Sequence, residues 1–157
     1  MEQEILNNIY HLYRGRIMDL ILYVLFSGFT VLVIIGAIKL EVIESKVERI
    51  LMLIICASTI ALPVMEFSTE TAPVRADYKE SSYIVLENAT MTVTTDTETS
   101  GVLRRVNHVI VIDNDGKCYD LMVDHNNLIS RGDKYTGTIV YLKHSNYVIW
   151  FAFATKQ

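Results

Sequence analysis

The chain has 157 residues, of which 51% are apolar, and its formal net charge is −4 at pH 7. It has no excess of basic residues to attract an extended polyanion, so a nucleic acid polymer is not expected as a partner. Its two cysteines, Cys56 and Cys118, lie in segments of different character, which argues against a disulfide framework.

Residues 1–16 are predicted to form an interfacial amphipathic helix. Their apolar side chains recur at helical spacing, and polar side chains fill the other positions. The apolar set is Ile5, Leu6, Ile9, Leu12 and Tyr13. Two glutamates near the start of the segment distinguish it from a mitochondrial targeting peptide, which is rich in arginine and poor in acids.

Residues 17–68 are predicted to form a transmembrane helical hairpin. Residues 20–38 carry no formal charge, and as a helix they would extend about 28 Å, close to the thickness of the hydrocarbon core. The second apolar stretch, residues 50–65, contains Pro63, which we interpret as the exit of that helix from the bilayer. The link at 41–49 is short, so the two helices are antiparallel and the chain enters and leaves on the same side.

The charges that flank the spans favour a cytoplasmic N-terminus by a small margin. Four basic residues flank the spans on the N-terminal side, and three lie in or beside the link. They are Arg14, Arg16, Arg75 and Lys79 on the first side, and Lys39, Lys46 and Arg49 on the second. The predicted location is the bacterial inner (plasma) membrane, with two spans and with the N-terminus and the C-terminal domain in the cytoplasm.

After a polar linker at 69–77, residues 78–157 are predicted to form a soluble β domain. Apolar and polar residues alternate in 83–95 with the period of a half-buried strand, and the apolar run at 109–112 is typical of a central strand. The sequence Asp-Asn-Asp-Gly at 113–116 is a strong signal for a tight turn. Further strands are predicted at 102–113, 117–124, 135–143 and 146–154, with a polar turn at 96–101 and a short segment at 128–130.

The predicted fold class is an α+β membrane protein, with a two-helix transmembrane hairpin followed by a small antiparallel β-barrel. The β domain has five or six predicted strands and no long helix to cover them. Closing the sheet into a barrel removes the unpaired edges that an open sheet would leave. A β-sandwich is the alternative.

The reactive side chains are not arranged as in an enzyme. Ser130 and His144 lack a nucleophile elbow or a glycine-rich oxyanion turn around them. The candidate metal ligands lack the spacing of paired zinc ligands. They are His108, Asp113, Cys118 and His125. We therefore expect no catalysis, no cofactor and no metal.

Arg104 and Arg105 are the candidate ligand-binding residues of the β domain. Adjacent residues of a strand point to opposite faces, so only one of them can face a barrel interior or its mouth. An arginine there can bind a phosphate through two hydrogen bonds, while a tyrosine stacks on a base. The candidate tyrosines are Tyr119, Tyr135 and Tyr141. A solvated arginine pair is the alternative interpretation.

Two spans followed by a β-rich domain resemble the two-transmembrane, β-strand-rich effectors of bacterial cyclic-oligonucleotide antiphage systems. The resemblance is one of architecture and covers nearly the whole chain. It implies that the β domain binds a cyclic nucleotide and that the spans assemble, as a homo-oligomer, to disrupt the inner membrane. Arg104, Arg105 and the three tyrosines are compatible with that function.

A non-catalytic accessory or immunity subunit of a membrane protein complex is the alternative function. In that case the helices pack on a membrane partner and the β domain docks another protein. An edge of the strand at 83–95 would provide the docking surface by strand addition.

Overall fold

A computed structural model describes most of the chain. The described residues are 2–39, 45–94, 98–100, 104–124 and 131–156, without the side chains of 98–100, 104–105 and 154–156. The chain divides into two compact units. Arg14–Ala72 form the helical unit, and Met1–Tyr13 together with Pro73–Gln157 form the β unit.

Two long helices dominate the N-terminal half of the chain. Helix α1 is Glu2–Lys39, and helix α2 is Lys46–Glu66. A π-helix, π1, at Phe67–Thr71 joins α2 to helix α3, Ala72–Glu80, so that the second helical segment runs without a break from residue 46 to residue 80. Both segments are long and apolar enough to cross a membrane.

The start of α2 is fixed by a capping box. The side chain of Ser45 accepts a hydrogen bond from the Val47 amide at 3.2 Å, and the Ser45 amide donates to the Glu48 carboxylate at 3.4 Å. These bonds satisfy backbone groups that a helix leaves unpaired at its N-terminus.

The second helix does not end at Pro63, where the sequence predicts its exit. A proline removes one helical hydrogen bond and leaves the carbonyl of the residue four positions earlier, Thr59, without its donor. The side-chain hydroxyl of Ser27 on α1 donates to that carbonyl at 2.6 Å. A neighbouring helix that supplies the missing donor allows a helix to continue through proline.

The β unit contains one curled antiparallel sheet. Its strands are β1 Tyr83–Val93, β2 Glu98–Ser100, β3 Arg104–Ile112, β4 Cys118–Asp124, β5 Lys134–Leu142 and β6 Val148–Lys156. β1 pairs with β3 and β5, β3 also pairs with β2 and β4, and β5 pairs with β6. A parallel bridge between Met122 and Tyr147 brings β4 to β6, so the sheet curls into a half-barrel. The α+β class is confirmed.

The strands predicted from alternation are confirmed, as is the turn at Asp113. The Gly116 amide donates to the Asp113 carbonyl at 3.1 Å, and Gly116 has φ +78°, a value that glycine adopts without strain. The predicted turn at 96–101 is different, because Glu98–Ser100 form the short strand β2 against Arg104–Val106. The segment predicted at 128–130 lies outside the described residues.

A bulge divides β1 into two halves, and the alternation of buried and exposed side chains shifts by one residue between them. The period-two pattern places Val85 on the same face as Ala89, but Leu86 is buried and Val85 is exposed. The pairing with β5 shifts between Leu86 and Ala89, and Asn88 has φ +53°. An extra residue at a bulge reverses the faces on its two sides, which explains the difference.

Each face of the sheet carries an apolar cluster. The strand cluster contains only strand residues: Leu86, Ala89, Met91, Val93, Val109, Val111, Leu121, Val123, Tyr135, Ile139, Tyr141 and Val148. The helix-covered cluster joins Ile5, Ile9 and Leu12 of α1 and Val74 of α3 to Val106, Val140, Leu142 and Tyr147. The sheet is therefore packed on both of its faces.

The first turns of α1 contribute to the core of the β unit. Ile5 and Ile9 are almost completely buried, and the Asn8 side chain donates to the Ile149 carbonyl at 2.9 Å. An amphipathic stripe fits a protein surface as well as a lipid interface, and the sequence does not distinguish between them. The interval 69–77, predicted as a linker, is helical in π1 and α3.

Candidate functional site

Two of the predicted ligand-binding tyrosines meet inside the β unit. The rings of Tyr119 and Tyr141 lie with their centroids 5.7 Å apart and their planes at 53°. The Tyr119 hydroxyl donates to the Asp113 carboxylate at 2.9 Å. The carboxylate also accepts from the amides of Asp115, at 3.0 Å, and Lys117, at 2.8 Å, so it organises the β3–β4 turn.

This arrangement shifts the acid–base properties of the turn. Partial burial acts to raise the pKa of Asp113, but the Lys117 amide, the Tyr119 hydroxyl and the Asp115 amide outweigh it, so the pKa lies below its usual value. The hydrogen bond to Asp113, together with burial, raises the pKa of Tyr119. Burial is the main cause of the raised pKa of Tyr141. Both tyrosines are therefore neutral at physiological pH.

The third predicted tyrosine, Tyr135, is buried. Its hydroxyl donates to the Asp133 carboxylate at 2.7 Å. Its ring stacks on Phe153 at a centroid distance of 4.4 Å, and Phe153 stacks on Phe151 at 4.5 Å. The face of Tyr135 towards Phe153 is thus occupied by a protein ring.

The backbone of Arg104 and Arg105 lies at the start of β3, opposite Ser100 and Thr99 of β2. Their side chains lie outside the described structure. Tyr119 pairs with Val111, which is seven residues further along β3, a separation of about 23 Å in a strand. The structure brings Tyr119 and Tyr141 together, but the backbone of the arginine pair is at the other end of the strand from Tyr119.

A buried aspartate that sequence analysis missed ties α3 to the β5–β6 turn. Asp77 is fully buried. One carboxylate oxygen accepts from the His144 amide at 2.9 Å, and the other accepts from the Ser145 amide at 2.9 Å and the Ser145 hydroxyl at 2.7 Å. We call these contacts the Asp77 clamp. His144 and Ser145 lie 67 and 68 positions after Asp77 in the chain. No local sequence signal marks such a contact.

Further contacts extend the Asp77 clamp. The Ser82 amide donates to the Asp77 carbonyl at 3.0 Å, and the Lys143 amide donates to the Ser82 carbonyl at 3.3 Å. A ring nitrogen of His144 lies 3.0 Å from the Glu80 carboxylate. The C-terminal end of α3 is consequently fixed to the turn by backbone and side-chain bonds.

The helical unit contains a buried ionic cluster beside π1. Arg16 is fully buried, and its guanidinium lies 3.0 Å from the Glu70 carboxylate and 3.9 Å from that of Glu66. Desolvated charges are stable only when they are paired, so this cluster fixes α1 against the second helical segment. A π-helical turn within a helix often accompanies a functional position. Sequence analysis counted Arg16 only as one of the four basic residues that flank the predicted spans on the N-terminal side.

An apolar groove lies on the helical unit. Its volume is about 390 Å³. Its lining consists of Val24, Ser27, Gly28, Val31, Leu32, Ile60 and Pro63. Small residues such as Ser27 and Gly28 allow a helix to approach closely in a membrane.

Within the described part of the chain, no three His, Cys, Asp or Glu side chains are grouped so that they could hold a metal ion. Cys118 is exposed and Cys56 is partly buried, and both are free thiols.

Comparison with protein-family models, with curated proteins and with solved structures found no match to this chain.

Proposed function

We propose that the protein is a membrane-anchored, non-catalytic sensor and effector. Its two long helices span the inner membrane, its β unit binds a small ligand in the cytoplasm, and the helices carry the response into the bilayer. One observation carries this proposal. Helix α1 supplies residues to both units, and α3, which continues α2 through π1, is held to the sheet by the Asp77 clamp.

The Asp77 clamp supports coupling because it acts on the backbone of a turn. A ligand changes a protein's conformation only if it binds two conformations with different affinities. A ligand that moves β5 or β6 would change the positions of the His144 and Ser145 amides. The Asp77 carboxylate, which accepts hydrogen bonds from both amides, would then move with them. Asp77 is part of the helical segment that begins in the candidate span, so the clamp provides a physical connection.

The ligand that we propose is a cyclic nucleotide, with Arg104 or Arg105 as the phosphate-binding residue and the half-barrel closing into a barrel around it. A guanidinium and a phosphate form two parallel charge-assisted hydrogen bonds. The backbone of both arginines leads into β3, which pairs with three other strands, so a bound phosphate would act on the middle of the sheet. The effector form is a homo-oligomer of the hairpin that disrupts the membrane in antiphage defence.

The apolar groove favours a second candidate function, that of an accessory or immunity subunit of a membrane protein complex. A groove with Ser27 and Gly28 in its wall can accept a helix of a partner. Strand addition would have to use the half of β1 before Thr90, because residues 90–93 pair with β3 on one side and the strand pairs with β5 on the other from Tyr83 to Thr92. In this function the β unit acts as a docking domain and needs no ligand.

The native cysteines allow a direct test of the membrane location. The variants Cys56→Ser and Cys118→Ser each leave one thiol, the first exposed on β4 and the second in α2. We expect an impermeant maleimide to label Cys118 in inside-out vesicles but not in intact spheroplasts, and to label Cys56 only after detergent is added. Labelling of Cys118 in intact spheroplasts would contradict a cytoplasmic β unit. Recovery of the full chain in the soluble fraction would overturn the membrane proposal.

Ligand binding is tested by the thermal stability of the full chain in detergent across a panel of cyclic di- and trinucleotides. A ligand at a hundred times its dissociation constant stabilises the folded state by about 2.7 kcal/mol. We expect one cyclic nucleotide to raise the unfolding temperature, Arg104→Ala or Arg105→Ala to abolish the rise, and Arg131→Ala, a matched exposed arginine, to retain it. A panel without any rise, together with stable copurification of one membrane protein, would favour the accessory subunit.

A further inference from the structure

Three tyrosines from α1 and α3 form an exposed aromatic cluster in the β unit. The rings of Tyr13 and Tyr78 stack with a centroid distance of 4.7 Å and an angle of 10°. Tyr10 adds a third ring, 6.1 Å from Tyr78. Tyr10 is 43% exposed and Tyr78 is 39% exposed, so the cluster is only partly covered by the protein. We call these three residues the tyrosine cluster.

The chemistry of tyrosine fits a membrane–water interface. Its ring is apolar and its hydroxyl forms hydrogen bonds, and tyrosine and tryptophan are enriched at the level of lipid headgroups for that reason. Tyr13 packs on the helix-covered cluster, which gives the exposed rings of Tyr10 and Tyr78 a fixed support. A supported pair of exposed rings presents apolar surface at little cost in side-chain entropy.

Exposed cations flank the tyrosine cluster, and the exposed acidic residue of α3, Glu80, contacts His144. Arg75 and Lys79 are exposed residues of α3, three positions before Tyr78 and one position after it. Neither side chain forms an ion pair or hydrogen bond in the described structure. On α1, residues 5–18 contain no acidic residue, and His11 is exposed beside Tyr10. Exposed cations next to tyrosines are suited to a negatively charged headgroup layer.

The distance from the predicted span agrees with that layer. Residue 17 is the predicted start of the hairpin, and Tyr13 precedes it by four residues of the continuous helix α1, which is about 6 Å along the helix axis. The headgroup region extends roughly 5–8 Å beyond the hydrocarbon on each side. Arg16 does not compete for lipid phosphates, because it is buried and paired with Glu66 and Glu70.

We propose that the tyrosine cluster, with Arg75 and Lys79, is a binding surface for anionic phospholipid headgroups. The two cations bind the lipid phosphate, and the tyrosines lie among the headgroups and the first acyl carbons. This inference rests on the proposed membrane location, and it adds a lipid preference that the membrane location alone does not require. It also gives the positively charged side of the hairpin a specific set of lipid contacts.

The test uses the full chain in lipid nanodiscs. One set contains phosphatidylcholine alone, and the other contains phosphatidylcholine mixed with phosphatidylglycerol. We expect phosphatidylglycerol to raise the thermal unfolding midpoint of the wild-type chain, and sodium chloride to reduce the rise by screening. The double variant Arg75→Gln/Lys79→Gln should lose most of the rise. The control Arg131→Gln/Lys134→Gln removes the same two charges from exposed positions elsewhere in the β unit and should keep the rise.

Two further arms separate the possible results. Inorganic phosphate added to phosphatidylcholine discs distinguishes a small-anion site from a lipid surface, and an equal rise with phosphate would overturn the proposal. Tyr10→Trp should be quenched by lipids brominated near the headgroup more strongly than the native Trp150 alone, and a lack of extra quenching would also overturn it. A chain that is membrane-embedded by cysteine labelling but insensitive to phosphatidylglycerol refutes only this inference, whereas a soluble chain refutes the proposed function as well.

Discussion

The hydroxyl of Ser27 donates a hydrogen bond of 2.6 Å to the carbonyl of Thr59, the carbonyl whose helical donor is missing because residue 63 is proline. One contact thus satisfies the carbonyl that the proline leaves without its helical donor, and it also joins α1 to α2. The Thr59 side chain is occupied within its own helix, since its hydroxyl donates to the carbonyls of Ile55 and Cys56.

Ser27→Ala is expected to destabilise the helical unit by about 1 kcal/mol, the usual net contribution of one intramolecular hydrogen bond. The measurement is the thermal unfolding of the full chain in detergent. In a Pro63→Ala background the helix has its own donor for Thr59, so the same substitution should have a much smaller effect. Ser58→Ala, which removes only a bond within α2, is the matched control. Equal losses in both backgrounds would show that the Ser27 contact does not compensate for the proline.

Asp77→Ala is expected to destabilise the β unit by about 3 kcal/mol or more, because the buried Ser145 amide and the partly buried His144 amide lose their acceptor. Ser145→Ala removes one side-chain bond of the Asp77 clamp and should cost only about 1 kcal/mol. Hydrogen exchange of the His144 and Ser145 amides measures the effect at the turn itself. Unchanged protection of both amides in Asp77→Ala would contradict the described contacts.

Gly137→Ala is expected to be strongly destabilising. A β-carbon at this position would overlap the Ala152 carbonyl oxygen and lie 2.8 Å from the Phe153 α-carbon. Relief of such overlap requires backbone movement between β5 and β6, which typically costs about 1–3 kcal/mol or more. Gly36→Ala in α1 meets no atom within 4 Å and should be neutral or slightly stabilising, since alanine favours helix. The comparison of the two unfolding midpoints is the measurement.

The β3–β4 turn is expected to make stability depend on pH at both extremes. The pKa of Asp113 is lower in the folded state than its ordinary value of 3.8, so its contribution is present above that value and is lost as the pH falls through the folded-state pKa. The raised pKa of Tyr119 gives a contribution that is present below its ordinary value of 10.0 and is lost as the pH rises through the folded-state pKa.

Asp113→Asn tests both contributions. The difference in unfolding midpoint between the wild type and this variant should be largest near neutral pH and should narrow in strong acid. Tyr119→Phe removes the hydroxyl that donates to Asp113. In that background the difference in unfolding midpoint caused by Asp113→Asn should change less between neutral and strongly acidic pH. A gap that stays constant from neutral to strongly acidic pH would show that Asp113 is not stabilised as the anion.

Asn107→Leu is expected to raise stability by about 1–3 kcal/mol. Asn107 is fully buried in β3, and neither polar atom of its side chain has a hydrogen-bond partner in the described structure. A buried polar group without a partner costs about that much, and leucine has the same branching at Cγ without polar atoms. Chemical denaturation of the full chain measures the change. A lower midpoint in the variant would indicate that a partner of the amide stabilises the protein.

The sequence predicted most of the β unit because its signals are local. Alternation of apolar and polar residues located the five main strands, and Asp113 with Gly116 located the tight turn. The period-two pattern placed Val85 on the wrong face of β1. Such a pattern does not reveal the bulge at Asn88, where the backbone has a positive φ. Local patterns determine where strands occur. A single bulge, however, reverses which side chains of the preceding half of the strand face the core.

The contacts that connect distant segments were not predicted. Asp77 reads as one polar residue of a linker, although its burial depends on a turn 67 positions later. Pro63 reads as a helix end, because its compensation comes from Ser27 on another helix. The sequence also does not indicate that Tyr135 is buried against Phe153, which follows from the pairing of β5 with β6. Each of these outcomes depends on a tertiary partner that composition does not specify.

Asn8 and Ile149 are 141 positions apart in the chain but are joined by a hydrogen bond. The ribosome therefore makes the first turns of α1 long before it makes the strands against which they pack. Ile5, Ile9 and Leu12 remain without that protection during synthesis of both long helices. The apolar surface that covers these three residues is consequently completed only after both long helices and most of the strands have been synthesised, when Tyr147 is added.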